Sequence, residues 1–160
     1  MNINKTGLLT SVLLACLCML QAVQAESKIT IDSAWIREAP PATSVLAAYM
    51  TIKNDSETDQ QITGMESPDF ESAEIHRTVV EDGVAKMLPV DALNLAAGDS
   101  VSLEPGGLHV MLFDPQRPLR EGDTATLIVH TASGAAISVQ ATVVRKTGDD
   151  AGHDHSHHHH

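Results

Sequence analysis

The chain has 160 residues, of which only 2% are aromatic, and it carries a formal net charge of −11 at pH 7. An acidic chain with no basic stripe and no aromatic platform argues against nucleic-acid binding. Its length is enough for one domain with a sizeable core.

The first residues are typical of a secretory signal peptide. Lys5 precedes an apolar run over 7–19, and Val23-Gln24-Ala25 places small residues at the cleavage positions. We therefore predict a signal peptide over 1–25, and no membrane span once it is removed, because the apolar run is short for one. The alternative is a lipoprotein, since Leu13-Leu14-Ala15-Cys16 is close to a lipoprotein box that would leave Cys16 lipidated.

Both cysteines, Cys16 and Cys18, lie in the predicted signal peptide. Cleavage would leave a chain without a disulfide, a thiolate ligand or a thiol nucleophile. Soft-metal chemistry would then have to come from methionine. Removal of Lys5 would leave nine basic residues against 21 acidic ones, which is a formal charge of −12.

The rest of the chain is predicted to be a single all-β domain over 26–146. Short apolar or alternating runs recur at roughly ten-residue spacing with turn residues between them, which favours a β-sandwich or β-barrel. The predicted strands are Ile29–Ile36, Val45–Ile52, Gln61–Met65, Ala73–Val80, Ala85–Val90, Ser100–Leu103, Leu108–Phe113, Ala125–His130 and Ala136–Val144.

The composition changes at Thr147, and residues 147–160 are predicted to be a disordered tail rich in histidine. A purification tag is the alternative, although the interleaved His-Asp-His-Ser favours a native metal-binding tail. With no methionine, the tail suits Cu(II) or Zn(II) better than Cu(I). Its residues form a candidate second metal site: His153, His155, His157, His158, His159 and His160.

A histidine and a methionine share one face of the strand that follows Gly106-Gly107. Side chains alternate along a strand, so Leu108, Val110 and Leu112 face the core while His109 and Met111 face outward. Either residue alone could have an ordinary structural role and bind no metal, because a methionine is more often a flexible gap-filler than a ligand.

The Asp82-Gly83 pair is a strong signal for a two-residue hairpin loop. The loop indicates two further candidate metal ligands, His76 and Met87. That loop sets Glu81 opposite Val84 and Thr78 opposite Met87, so that Met87 becomes the diagonal neighbour of His76. A slip of one residue would separate them. A third strand that carries His109 and Met111 could complete the group.

Two imidazoles and two thioethers form a neutral, soft donor set, which favours Cu(I) over Cu(II) and over zinc. We predict a core position for Met50 and Met65. His130 is predicted to be a strand-end histidine with a hydrogen bond or a solvent contact.

The spacing His76-x10-Met87-x21-His109-x-Met111 resembles the periplasmic copper chaperone family PCu(A)C. Arg77 departs from the family, which often has Glu or Met there, but strand alternation points it away from His76. Other segments are also similar to the family: Trp35-Ile36-Arg37 with Pro40-Pro41, Ala47-Ala48-Tyr49, Asn54, and Pro105 to Leu112.

The resemblance implies a cupredoxin-like Greek-key β-barrel with an exposed Cu(I) site made by His76, Met87, His109 and Met111. It also implies a periplasmic protein, not an enzyme, that delivers copper to a subunit of cytochrome c oxidase or to another copper chaperone.

Two other functions stay open at this point. A periplasmic copper or zinc buffering or resistance protein would act mainly through the His-rich tail. A structural β-sandwich module would bind no metal through His76 or Met111. An enzyme is not predicted, because no phosphate loop, nucleophile motif or recognisable carboxylate pair appears in the sequence.

Overall fold

The computed structural model describes residues 28–40 and 42–145. The predicted signal peptide and the His-rich tail lie outside the described residues. Within those two ranges the chain forms ten β-strands, and no helix is long and apolar enough to cross a membrane. The strands are β1 (Ile29–Arg37), β2 (Val45–Asn54), β3 (Gln60–Glu66), β4 (Phe70–Glu81), β5 (Val84–Pro89), β6 (Leu93–Leu95), β7 (Ser100–Leu103), β8 (Leu108–Pro115), β9 (Thr124–Thr131) and β10 (Ala136–Val144).

Seven of these strands close into a barrel in the order β1-β2-β8-β4-β3-β9-β10. Only β1 and β10 run parallel, and they close the ring, while the other barrel pairs are antiparallel. The three remaining strands extend the sheet: β5 beside β4, β6 beside β3, and β7 beside β2. The predicted all-β, single-domain barrel is confirmed.

The barrel interior is filled by aliphatic side chains that alternate along the strands with outward-facing residues. Ile36, Ile52 and Leu112 are fully buried in this core, and Met50 and Met65 are buried there too, as predicted. Every predicted strand is present with small shifts at its ends. The one strand that the sequence did not reveal is β6, because three residues are too few to show a periodic pattern.

One buried polar residue ties the β2–β3 loop to the end of β6 and the loop that follows it. Asn54 is fully buried, and its amide nitrogen donates to the carbonyl oxygens of Thr58 (2.8 Å), Leu95 (3.2 Å) and Ala96 (2.9 Å). Its amide oxygen accepts from the backbone nitrogen and the hydroxyl of Ser56. A buried amide with all of its partners fixes the geometry of the loops that supply them.

We expect Asn54→Ala to lower the free energy of unfolding by about 2 kcal/mol or more, because it leaves buried carbonyl groups without a donor. Asn94→Ala is the matched control, since Asn94 is exposed and accepts one side-chain hydrogen bond from Gln61. Urea denaturation of both variants measures the difference. Equal losses in the two variants would contradict a special role for Asn54.

An ion pair joins the end of β10 to the loop after β1. The Arg145 guanidinium contacts both carboxylate oxygens of Glu38, at 2.5 and 3.1 Å, and the Glu38 amide donates to the Val144 carbonyl. The hydrogen bond from Arg145 is the main reason that the pKa of Glu38 lies below its usual value. This contact fixes the start of the loop that runs beside the candidate site described below.

The lowered pKa of Glu38 sets the pH dependence of this contact. A carboxylate whose folded pKa is depressed stabilises the fold above its unfolded pKa, and that stability is lost as the pH falls through the folded value. We expect Arg145→Gln to be less stable than the native chain at neutral pH and to match it once Glu38 is protonated. Thermal unfolding across this pH range is the measurement, with the exposed Arg77→Gln as control. A stability gap that persists in acid would be the contrary result.

Candidate metal centre

The four candidate ligands lie on three strands that are neighbours in the sheet, β5, β4 and β8. His76 on β4 is directly opposite His109 on β8, and Thr78 is directly opposite Met87 on β5. Met111 lies opposite Glu74, two residues before His76 on β4, so it is diagonal to His76. Directly paired residues share a face of the sheet. All four candidate side chains therefore project from one face around His76.

The hairpin register that places Met87 matches the register predicted from the sequence. Glu81 pairs with Val84, and the loop is Asp82-Gly83. Both loop residues have positive φ angles, 52° and 77°. Two consecutive positive φ angles define a type I′ turn, whose twist suits a two-residue hairpin.

The two imidazoles are covered, while one thioether is open to solvent. His76 and His109 are only 9% and 4% exposed, Met111 is partly buried, and Met87 is 56% exposed. The expectation of an exposed site therefore holds for Met87 and is wrong for the two histidines. His109, Met111 and Met87 line one cleft together with residues 37–40 and Thr78.

The tautomer of His109 follows from its backbone contact. Its Nδ1 lies 3.1 Å from the carbonyl oxygen of Gly107, which can only accept a hydrogen bond. Nδ1 therefore carries the proton, and in the neutral ring Nε2 is left with a lone pair. That Nε2 atom is buried and has no hydrogen-bond partner among the described residues.

His76 has the opposite arrangement of its ring nitrogens. Its Nε2 lies 3.0 Å from a carboxylate oxygen of Glu74, so Nε2 donates and Nδ1 keeps the lone pair. Nδ1 is also buried without a partner among the described residues. The sequence did not single out Glu74 for this contact, although its position two residues before His76 on a strand sets it on the same face.

Two buried lone pairs that have no hydrogen-bond partner within the described residues fit a metal ion. The ring centroids of His76 and His109 are 6.2 Å apart. Because a metal–imidazole bond is about 2 Å long, one ion between the rings would be within reach of both. Ligating histidines usually donate their other ring N–H to a carboxylate or a backbone carbonyl, and Glu74 and Gly107 are such partners.

The surrounding donors decide which metal suits this position. The described residues contain no group of three or more His, Cys, Asp or Glu side chains that could hold a metal ion. The side chains that accompany the two imidazoles are the thioethers of Met87 and Met111. A thioether is a soft donor that prefers Cu(I), whereas zinc selects nitrogen, oxygen or thiolate ligands.

His130 is separate from this group. It lies near the end of β9, and its Nε2 is 3.1 Å from a carboxylate oxygen of Glu66 on β3. The prediction of a strand-end histidine with a hydrogen bond or a solvent contact is confirmed through the solvent contact, because the His130 side chain is 34% exposed.

The comparison with known families gives a match over most of the barrel. The model of the family described as "Putative lipoprotein LpqE-like" matches residues 29–143. The chain belongs to the LpqE-like family. An uncharacterized protein of Rickettsia prowazekii, RP573, is 31% identical to this LpqE-like chain over 126 residues, which is 76% of this chain and 70% of that protein.

Solved structures also resemble the LpqE-like chain. The solution structure of Cu(I)-bound DR1885 from Deinococcus radiodurans is 31% identical with a TM-score of 0.59, and the match covers 78% of this chain and 84% of that one. The copper-bound PCuAC domain of PmoF2 has a TM-score of 0.62 at 24% identity, over 74% of this chain and 94% of that domain, which shows a shared fold. The barrel of the LpqE-like chain therefore matches the fold of PCuAC domains.

We expect Glu74→Ala to weaken Cu(I) binding about tenfold to a hundredfold, the usual effect of losing the partner of a metal-ligating histidine. Nitrogen-15 NMR of the imidazole rings should show His76 moving toward the tautomer with its proton on Nδ1. Glu74→Gln should restore part of the affinity, because its amide oxygen still accepts from Nε2.

Glu66→Ala is the matched control for this experiment, since a carboxylate oxygen of Glu66 lies 3.1 Å from Nε2 of His130, a histidine outside the candidate metal centre. It should change the NMR signals of His130 and leave Cu(I) affinity as it is. An unchanged His76 tautomer in Glu74→Ala would show that Glu74 does not set it.

Proposed function

We propose that this protein is an exported copper chaperone that binds Cu(I) through His76, Met87, His109 and Met111 and passes it to a copper-accepting protein. The observation that carries the proposal is the pair of buried nitrogens, His76 Nδ1 and His109 Nε2, that have no hydrogen-bond partner in the described part of the chain. They lie on adjacent strands between two methionines at neighbouring register positions. Copper is the cargo in this proposal.

The donor set supports Cu(I) as the bound ion. Four neutral ligands provide no hard anionic oxygen to stabilise the extra charge of Cu(II). Glu74 is the nearest carboxylate along β4, and its described contact is with the ring of His76. It therefore supports the histidine ligand instead of acting as one.

The difference in solvent exposure between the candidate ligands supports transfer of copper over its permanent storage. The two imidazoles are buried, whereas Met87 lies on the outer hairpin strand and is more than half exposed. A partner can displace an exposed thioether first while the histidines still hold the ion. Stepwise exchange of this kind avoids releasing free copper.

Two structural relatives are described as copper-bound proteins, which supports a copper-related function for this chain. DR1885, at 31% identity, is described as binding Cu(I), and the PmoF2 domain is described as copper-bound. Delivery toward cytochrome c oxidase or another copper chaperone rests on the resemblance to PCu(A)C and is part of this proposal.

We also propose a periplasmic location. The family description as a lipoprotein favours export and gives weight to lipidation at Cys16, the alternative to cleavage after Ala25. The mass of the protein purified from cells distinguishes the two, because lipidation adds acyl chains to a chain that begins at Cys16.

We expect His109→Ala and Met111→Ala each to weaken Cu(I) binding by at least about tenfold, or 1.4 kcal/mol. Titration against a competing Cu(I) chelator, in the chain truncated after Thr147, measures this without the tail. X-ray absorption should count two nitrogen and two sulfur ligands. His130→Ala is the control and should bind as the native chain does. Retained tight binding in both ligand variants would contradict the proposed site.

The second candidate is a buffering or resistance protein that acts through the six histidines of the tail. A measurement of copper transfer to an acceptor protein distinguishes the two functions. A chaperone should load the copper-binding domain of an oxidase subunit from the truncated chain, whereas a tail-based buffer should lose its copper capacity with the tail and transfer none.

A further inference from the structure

The guanidinium of Arg37, at the end of β1, has no anionic partner in the described part of the chain. It lies over the ring of Tyr49, 5.9 Å from the ring centroid, and its Nε is buried without a hydrogen-bond partner. Tyr49 in turn packs against Trp35, with ring centroids 4.4 Å apart. A buried guanidinium nitrogen without a partner is uncommon, because leaving a charged donor unpaired is costly.

The nearby carboxylates are already engaged with other groups. Glu38, the residue after Arg37, contacts Arg145 through both of its oxygens. Glu74, on the far side of Met111, contacts the ring of His76. In residues 28–40 and 42–145, the positive charge of Arg37 therefore has no carboxylate of its own.

Arg37 lines the same cleft as three of the candidate copper ligands. The cleft has a volume of about 370 Å³, and its lining includes His109, Met111 and Met87. Ala47 on β2 pairs with Met111, and its small side chain leaves room between β1 and β8. Arg37 is the one cationic side chain among the described residues that line the cleft.

We propose that this cleft receives an extended segment of the copper-exchange partner, and that a carboxylate on that segment pairs with Arg37. The inference rests on the proposed function, since the partner is the protein that gives or takes Cu(I). The planar guanidinium of arginine matches a carboxylate through two parallel hydrogen bonds. A cleft of this volume suits a few side chains of an inserted segment.

The overall charge of the protein makes Arg37 selective. The chain carries a net charge of −11, so an acidic segment is repelled by most of the surface. An uncompensated arginine beside the metal ligands gives such a segment one favourable position and one register. A carboxylate is a hard ligand that Cu(I) disfavours. It would therefore pair with Arg37 while a soft ligand on the same segment approaches the copper.

Two synthetic peptides, both acetylated and amidated, test this proposal: Met-Gly-Met-Gly-Asp and Met-Gly-Met-Gly-Asn. They offer the same thioethers to Cu(I) and differ in one carboxylate. The rate of Cu(I) transfer from the loaded full-length chain to each peptide is measured at low salt. The ratio of the two rates within one protein variant cancels any change in that variant's own copper affinity.

We expect the native chain to load the Asp peptide about threefold to tenfold faster than the Asn peptide, against the repulsion from its net charge. The preference should shrink in high salt. Arg37→Gln should abolish or reverse the preference, and Arg37→Lys should keep part of it by retaining the charge. Arg77→Gln is the matched control, because Arg77 lies on the opposite face of β4 and is exposed. It should keep the full preference.

Equal rates for the two peptides from the native chain would overturn the inference, as would an equal loss of preference in the Arg77 and Arg37 variants. Acetate provides a second measurement. If acetate shifts the Arg37 Nε–H NMR signal but the peptides are loaded equally, the cleft binds free carboxylates and the partner proposal is wrong. Absence of Cu(I) binding would instead be a failure of the proposed function, which the chelator titration detects separately.

Discussion

The pairing of β4 with β8 is the constraint on which the candidate site depends. It sets His76 directly opposite His109 and brings Met111 to the diagonal position. Because side chains alternate between the two faces of a strand, a slip of one residue would send the two imidazoles to opposite sides of the sheet. The barrel holds this register, since Ile75 and Val110, paired between the same strands, are buried in the core. Core packing thereby fixes the geometry of the outer face.

The candidate site combines imidazoles held by hydrogen bonds with an exposed methionine. Backbone and carboxylate contacts leave opposite ring nitrogens with the lone pair, Nδ1 in His76 and Nε2 in His109. These contacts reduce the rearrangement that is needed to bind an ion. Met87 lies instead on β5, whose residues are all exposed. Imidazoles held by hydrogen bonds and an accessible thioether together suit the proposed role, in which Cu(I) is held and then handed on.

The residues around the candidate site, and not only its ligands, bear on which partner protein it accepts. Among the described residues Arg37 has no carboxylate partner, and it lines a cleft with three of the candidate copper ligands. The neighbouring carboxylates of Glu38 and Glu74 contact Arg145 and His76 instead. Specificity between partners depends on differences of this kind, because soft ligands by themselves accept Cu(I) from many sources. Within the Trp35-Ile36-Arg37 segment, Arg37 lines this cleft, and Trp35 packs against Tyr49, which lines it too.

The sequence by itself determined the all-β class, nine of the ten strands, the hairpin register at Asp82-Gly83 and the shared face of His109 and Met111. These features follow from alternation and turn chemistry, which are local. Only the tertiary structure decided that β4 pairs with β8, that Glu74 and Gly107 fix the two imidazole tautomers, and that both rings are covered. Those facts depend on strands and loops far apart in the chain, and no periodic pattern within one segment encodes them. That Arg37 has no carboxylate partner within residues 28–40 and 42–145 is also of this kind, because it depends on which partners Glu38 and Glu74 take in the folded barrel.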